Sequence, residues 1–214
     1  MSSRSGGVAN IAPGLYWADI LAPGGSIRFA ERKSMSLPET VYATFSGAID
    51  QATLSRFFNG LTRATQNGAK NLHILFQSSG GSVDDSVALY NFLRAYPLEL
   101  HLYNTGAVQS GATVAWLAAH FRHVSKHGRF MLHKAYNSGG GNADRFKTIA
   151  ESLVADDLRA ETIIKAHTTI PPEKWAHYAT SQDLIFNADE AVNFGIAHDI
   201  REFEIPLGNQ VFNI

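Results

Sequence analysis

Several features that the sequence lacks exclude whole classes of protein. It contains no cysteine, which excludes disulfide scaffolds, thiol nucleophiles and cysteine-based zinc sites. It also lacks an excess of either charge, because 18 Lys and Arg residues face 19 Asp and Glu residues. Partners held by electrostatics alone, such as nucleic acid or an anionic membrane, are therefore not expected.

Long hydrophobic runs are missing as well. No run approaches the roughly 20 residues of a membrane-spanning helix, and the N-terminus reaches proline and glycine before any apolar run that could form a signal peptide. We therefore expect a cytoplasmic protein without a membrane partner. Hydrophobic residues nevertheless make up 45% of the 214 residues, enough for one compact domain with a substantial core.

The proline and glycine pattern divides the chain at about residue 38. Residues 1–38 contain closely spaced prolines and glycines with short apolar patches between them, which is typical of an N-terminal arm rather than of long helices or strands. Residues 39–214 contain the regular patterns and are predicted to form the folded domain. No internal repeat is visible within it.

Short apolar runs alternate with helical periodicity from residue 40 onward. This order predicts an α/β fold with a largely parallel sheet, and near-continuous apolar character predicts strands buried on both faces. The predicted strands are 41–45, 72–76, 98–103, 130–133 and 184–186. The predicted helices are 51–66, 84–96, 111–119, 144–167, a short one after Pro172, and 188–194.

Three segments at strand-to-helix junctions could carry chemistry, because open α/β sheets bind ligands at such junctions. Segment 78–83 (SSGGSV) can turn its backbone amides outward toward a developing oxyanion, although alone it also fits a plain capped turn. Segment 104–112 (NTGAVQSGA) presents Ser110 before an apolar helix, where an isolated serine is usually a helix cap. Its pattern does not match the nucleophile elbow of α/β-hydrolases, because Val108 replaces the first glycine.

The third segment ends a strand in a histidine. Segment 129–134 (RFMLHK) places His133 at the strand end, where a histidine alone is commonly a satisfied core residue. A serine nucleophile needs a base and a pair of oxyanion amides. Together the three segments supply each of these roles, which favours a serine hydrolase.

The same segments, in the same order, resemble the proteolytic subunit of the Clp proteases, the ClpP family of serine peptidases. The resemblance extends over about residues 40–200 and includes the closing segments 188–191 (ADEA) and 194–196 (FGI). It implies the ClpP/crotonase-like fold, built from repeated ββα units with a protruding handle helix at about 139–170. It also implies Ser110 as nucleophile, His133 as base, and the amides of Gly81 and Gly111 as the oxyanion site.

The resemblance further implies a serine endopeptidase that cleaves peptides or unfolded proteins inside a homo-oligomeric ring, with two rings meeting through the handles. No cofactor or metal is expected. The family's partner is an ATP-driven AAA+ unfoldase, but the arm 1–38 lacks similarity to the family's axial gating loops, so the sequence does not assign that partner.

The third member of the catalytic triad departs from the family. The triad aspartate of the family aligns with Tyr178 or Ala179 of this sequence, and neither residue can orient a histidine as a carboxylate does. Asp183 is the nearest downstream carboxylate and is a weak candidate, because it aligns better with a second family acid associated with subunit contacts. The family usually has a proline before its paired glycines and often a methionine after its nucleophile. This sequence has Ser79 and Gly111 at these two positions, and neither difference removes a backbone amide.

Alternatives to this interpretation stay open from sequence. A catalytically impaired ClpP-like structural subunit would explain the missing acid. A crotonase-type acyl-CoA enzyme shares the paired amides, but having both Ser110 and His133 in register argues against it. His120, His123 and His127 are spaced like metal ligands, yet no helical frame supports that spacing. Asp156 and Asp157 are interpreted as part of a solvated helix face.

Overall fold

The computed structural model describes residues 39–180 and 182–214. The predicted N-terminal arm 1–38 lies outside the described residues. In chain order the elements are β1 (Thr40–Ser46), α1 (Gln51–Gln66), β2 (Asn71–Gln77), α2 (Val83–Ala95), β3 (Glu99–Asn104), β4 (Ala107–Gln109), α3 (Gly111–Trp116), β5 (Phe121–Val124), β6 (Arg129–Leu132), α4 (Ala143–His167), α5 (Pro172–Ala179), β7 (Leu184–Phe186), α6 (Ala188–Asn193), β8 (Asp199–Ile200) and β9 (Val211–Asn213).

Two sheets organise the described part of the chain. The larger has six strands in the order β8-β5-β3-β2-β1-β9, and all its neighbours are parallel. The smaller has the order β4-β6-β7, with β4 and β6 parallel and β7 antiparallel to β6. The predicted α/β class with a largely parallel sheet is confirmed.

The repeated ββα unit is visible in how the chain passes between the sheets. After β3 the chain enters the small sheet as β4 before helix α3, and after β5 it enters as β6 before helix α4. Isolated bridges from Ile49 to Gly81 and from Ser78 to Val108 give the earlier units an equivalent short second segment. Each unit therefore delivers its strand-to-helix junction to the same edge, where the candidate site lies.

The prediction that the strands are buried on both faces is wrong. Strands β1 and β2 alternate between buried and half-buried residues, because helices cover one face, whereas within residues 39–180 and 182–214 the side chains of the other face contact one another and Phe203. On this second face, His73 stacks between Tyr42 (ring centroids 5.2 Å apart) and His101 (4.2 Å). The buried face holds a core of large aromatic side chains, with Phe45, Phe57, Phe76, Trp116 and Phe130 almost fully enclosed.

Helix α4 lies within the predicted handle segment and buries very little of itself. Asn142 caps it by accepting a 3.0 Å hydrogen bond from the amide of Arg145. Ile164 is its only fully buried residue, whereas Phe146, Val154 and Leu158 are 53%, 69% and 66% exposed. This 25-residue helix is too polar to cross a bilayer, and no other described helix meets the length and apolarity that crossing requires.

Candidate active site

Ser110 lies between β4 and α3 in a backbone conformation that few residues adopt. It is the only described non-glycine residue with a positive φ, at φ 53° and ψ −134°. Its amide donates a 2.7 Å hydrogen bond to the carbonyl of Met131 in β6, and its carbonyl accepts one from Thr113 in α3. Such strained conformations persist where surrounding structure imposes them and cluster at functional sites, which distinguishes Ser110 from an ordinary helix cap. Its side chain caps no amide of α3.

Three glycines around Ser110 lie too close to neighbouring atoms to carry a side chain. A Cβ on Gly80 (φ 99°) would lie 2.7 Å from the Cβ of Ser110 and 2.8 Å from the carbonyl oxygen of Gln109. A Cβ on Gly81 would collide with the backbone of Ile49, and one on Gly111 with the hydroxyl of Ser86. The buried Ser86 therefore explains why a small residue, rather than methionine, follows Ser110.

The amides of Gly81 and Gly111 are the predicted oxyanion donors. Ile49 brackets Gly81 by donating to the carbonyl of Gly80 and accepting from the amide of Ser82, which leaves the Gly81 amide outside this ladder. Gly111 opens α3, where amides have no partner within the helix. Among the described residues neither amide donates a hydrogen bond, so both are available to an oxygen of a ligand.

His133 follows the last residue of β6 and is held by the backbone next to it. Its Nδ1 atom lies 2.7 Å from the carbonyl oxygen of Lys134. Because a carbonyl can only accept, Nδ1 carries the proton in the neutral ring and the lone pair is on Nε2. The His133 ring also lies 5.6 Å, centroid to centroid, from that of Tyr136.

One cleft of about 760 Å³ is lined by Ser110, His133, Gly80 and Gly81. It lies between the junction that opens α2 and the first half of α4. Exposed or half-exposed residues of α4 complete its wall, among them Ile149 and Leu153. Ser110 and His133 form no hydrogen bond with each other in this structure, and both residues line the same cleft.

Among the described residues, none of the positions considered for the third triad member forms a hydrogen bond or ion pair with His133. Tyr178 is 2% exposed and packs edge-on against Trp175 at 5.3 Å. Burial, followed by the negative charges of Asp157 and Glu161, raises the pKa of Tyr178 well above its usual value, so it remains a neutral phenol. Asp183 is exposed beyond α5 and forms no described hydrogen bond or ion pair with His133.

A carboxylate that sequence reasoning missed is instead hydrogen-bonded to the backbone two residues after His133. Asp157 of α4 accepts a 2.7 Å hydrogen bond from the amide of Ala135 and lies 3.7 Å from the ammonium of Lys134. It is only 15% exposed, so its interpretation as part of a solvated helix face is wrong. The signal available in the sequence is its spacing, four and eight residues after Leu153 and Ile149 on the apolar stripe.

Two of the three histidines with metal-like spacing have separate partners in the structure. His120 accepts a hydrogen bond from the amide of Leu100, whereas Nδ1 of His123 lies 2.5 Å from a carboxylate oxygen of Asp199. His123 belongs to strand β5 rather than to a helix. Within residues 39–180 and 182–214, no three His, Asp or Glu residues are grouped as metal ligands would be.

Comparison with known proteins places this geometry in a family. The profile described as "Clp protease" matches residues 32–204. The chain is similar to the ATP-dependent Clp protease proteolytic subunit 4 of Rhodococcus jostii, with 28% identity over 130 residues, covering 60% of this chain and 66% of that protein. It is also similar to proteolytic subunit 2 of Pseudomonas aeruginosa, with 27% identity over 143 residues, covering 65% and 71%. The match thus spans about two thirds of each relative's length.

A solved structure has the same fold. A mutant of ClpP1 from Listeria monocytogenes superimposes with a TM-score of 0.65 at 20% identity, covering 78% of this chain and 92% of that one. The likeness confirms the predicted ClpP-like fold.

Proposed function

Because the chain belongs to the Clp protease family, we propose that it is a serine endopeptidase that cleaves peptides or unfolded proteins, with Ser110 as nucleophile and His133 as general base. The observation that carries the proposal is the strained backbone of Ser110, in a cleft shared with His133 and beside the amides of Gly81 and Gly111, which donate no hydrogen bond within the described part of the chain. A serine that only capped α3 would need neither the strained backbone conformation nor a histidine and free backbone amides beside it.

The proposed reaction begins with attack of the Ser110 hydroxyl oxygen on the scissile carbonyl carbon. His133 accepts the hydroxyl proton at Nε2, and the carbonyl oxygen becomes an oxyanion that accepts hydrogen bonds from the amides of Gly81 and Gly111. Collapse of this intermediate breaks the peptide bond, and His133 returns the proton to the leaving amine. Water then attacks the acyl-enzyme, with His133 again taking a proton, and releases the second product.

Productive geometry requires the Ser110 hydroxyl to reach Nε2 of His133. Catalytic hydrogen bonds are often long or misaligned without substrate and tighten in the complex. The fixed elements here are the backbone of Ser110, tied to Met131, and the ring of His133, tied to Lys134.

We propose that the active form is a homo-oligomeric ring. Helix α4 leaves Phe146, Val154 and Leu158 largely exposed, and apolar side chains along one helix of a folded domain mark an interaction surface. A ring would also enclose the cleft, which opens beside α4. The relatives are named as proteolytic subunits of ATP-dependent proteases, and for this chain we propose only the proteolytic role, in the cytoplasm.

A fluorophosphonate probe tests the proposal directly. Such probes form a covalent adduct with an activated serine, so the adduct should map by mass spectrometry to Ser110 and to no other serine. The Ser110→Ala variant should lose labelling and lower peptide hydrolysis by a factor on the order of 10⁶, or to the assay background. Ser55→Ala, on the exposed face of α1, is the matched control and should label like the unmodified protein. An adduct on another serine would refute the assignment.

The second candidate function is a catalytically impaired ClpP-like subunit with a structural role. The observation that favours it is the absence, among the described residues, of a carboxylate in contact with His133. Absence of any adduct on assembled protein, over a pH range of roughly 6 to 9 that spans histidine titration, would favour this alternative over the peptidase. The family match removes the remaining support for the acyl-CoA enzyme.

A further inference from the structure

One peptide group connects His133 to a carboxylate. The carbonyl oxygen of Lys134 lies 2.7 Å from Nδ1 of His133. The amide of the same peptide group, which belongs to Ala135, donates a 2.7 Å hydrogen bond to Oδ1 of Asp157. Carboxylate, peptide and imidazole therefore form a continuous chain of two hydrogen bonds.

Such a chain has an electrostatic consequence for His133. A carboxylate that accepts from a peptide N–H polarises the group and increases the negative charge on its carbonyl oxygen, so the bond at the other end strengthens. The imidazolium that forms when His133 takes the Ser110 proton is then stabilised twice, by the polarised carbonyl and by the carboxylate's own charge. A triad aspartate does the same in direct contact, and it also selects the ring tautomer.

The surroundings of Asp157 favour transmission of its charge. The Asp157 side chain is 15% exposed, the side chain of Lys134 is 31% exposed, and the Lys134 ammonium lies 3.7 Å from the carboxylate. The ionisable groups that line the cleft together with His133 are Asp84 of α2, Arg145 and Asp156 of α4, and Tyr136, whose ring lies beside that of His133. Asp84 and Asp156 are both paired with Arg159, whereas Asp157, which is paired with Lys134, is the carboxylate that accepts from the Ala135 amide.

We propose that Asp157 is a positioning residue that replaces the triad acid, acting on His133 through the Lys134–Ala135 peptide group. The inference rests on the proposed function, since it assigns a role in the same reaction. It accounts for the absence of a carboxylate at Tyr178 and Ala179, the two residues that align with the family's acid: in the proposal the negative charge comes from Asp157 of α4 instead. It also places a residue of α4, the helix with the exposed apolar surface, in control of the general base.

The test is Asp157→Asn, which preserves a side-chain oxygen for the Ala135 amide but removes the charge. The protonation midpoint of His133 can be read without catalysis from the pH dependence of its modification by diethyl pyrocarbonate, which attacks neutral imidazole, with mass spectrometry identifying His133. Loss of a nearby negative charge destabilises the cation, so the midpoint should move to lower pH by roughly 0.5 to 1.5 pH units. The maximum rate of fluorophosphonate labelling should fall roughly 10-fold.

Glu151→Gln is the matched control, because Glu151 is an exposed carboxylate of the same helix that lies outside the cleft. Its midpoint and labelling rate should equal those of the unmodified protein. Asp157→Glu retains the charge and should recover part of the rate. An Asp157→Asn midpoint equal to that of the control would overturn the proposal.

Lys134→Met provides an independent variant should Asp157→Asn fail to fold or assemble. It removes the opposing positive charge and leaves the backbone carbonyl, so the His133 midpoint should rise. An unmoved midpoint in this variant would also overturn the proposal. Failure of the proposed function is a different result: the unmodified protein would then form no Ser110 adduct at any pH, while the His133 midpoint would still report on Asp157.

Discussion

The amide of Ser110 donates a 2.7 Å hydrogen bond to the carbonyl of Met131, two residues before His133. Strand β4 pairs in parallel with β6, with Gln109 opposite Met131, so the candidate nucleophile and the candidate base leave adjacent strands at the same edge. Their relative position is set by backbone hydrogen bonds, not by a contact between their side chains. Substitutions that disturb this backbone should therefore affect chemistry before stability.

Gly80→Ala tests that dependence on backbone packing. A Cβ on Gly80 would lie 2.7 Å from the Cβ of Ser110, so Ser110 must shift, and a displacement of about 1 Å can cost on the order of 100-fold in rate. We expect the fluorophosphonate labelling rate to fall by at least about 10-fold. Gly68→Ala is the control, because Gly68 has a similar φ of 91° with no atom within 4 Å of its Cβ. Equal labelling rates in the two variants would contradict the prediction.

The stacked histidines of the large sheet predict loss of stability in acid. Burial, followed by the charges of His101 and His123, lowers the pKa of His73 from 6.5 to about 4, and burial lowers the pKa of His123. A histidine whose folded pKa lies below its unfolded value favours the neutral folded state, so its contribution is complete above about pH 6.5 and is lost as the pH falls toward about 4. Urea unfolding at fixed protein concentration should show this decline.

His73→Phe should flatten the decline between about pH 6.5 and 4, because phenylalanine retains stacking between Tyr42 and His101 but cannot take a proton. The substitution also leaves the Tyr103 hydroxyl without its 3.0 Å partner on Nδ1, so stability above the histidine titration range should be slightly lower than in the unmodified protein. A pH dependence identical to that of the unmodified protein would show that His73 does not cause it.

The exposed surface of α4 predicts an effect on assembly. A charge placed on an apolar contact must be desolvated when the contact forms, so Leu158→Asp should shift the particle to smaller species in multi-angle light scattering. Leu207→Asp is the control, because Leu207 is fully exposed outside α4. A stable 23.3 kDa monomer for the unmodified protein at micromolar concentration would instead refute the ring.

Much of this organisation can be predicted from sequence because it depends on local patterns. Helix α1 matches its predicted bounds of 51–66, since apolar periodicity and the Asp50 cap both act within a few residues. Strand β4 is not predicted, because three residues carry little periodic signal and its pairing with β6 is a long-range property. Strand β5 is also missed, because Arg122 and His123 are polar residues buried by partners distant in sequence.

Some residues of the candidate site can likewise be predicted from sequence motifs, whereas others depend on long-range packing. Motifs in the sequence indicate Ser110, His133 and the glycines, whereas their common cleft depends on the pairing of β4 with β6. Sequence does not identify Asp157, since its role follows from a contact with Ala135, 22 residues away. An acidic pair on a helix is ordinarily solvated, and only the structure shows that Asp157 contacts Ala135 and Lys134 whereas Asp156 is paired with Arg159.

Asp183→Asn decides between the remaining candidates for the third member. If Asp183 oriented His133 directly, removing its charge should lower turnover by on the order of 10⁴, as loss of a triad acid does. We expect turnover per assembled particle to stay close to that of the unmodified protein, because Asp183 is exposed and Nδ1 of His133 already has a partner in the Lys134 carbonyl. Light scattering on the same samples separates an assembly defect from a chemical one, since a defect of assembly alone leaves turnover per particle unchanged. A decrease of about three or more decades per particle would make Asp183 the third member and leave Asp157 without the role proposed for it.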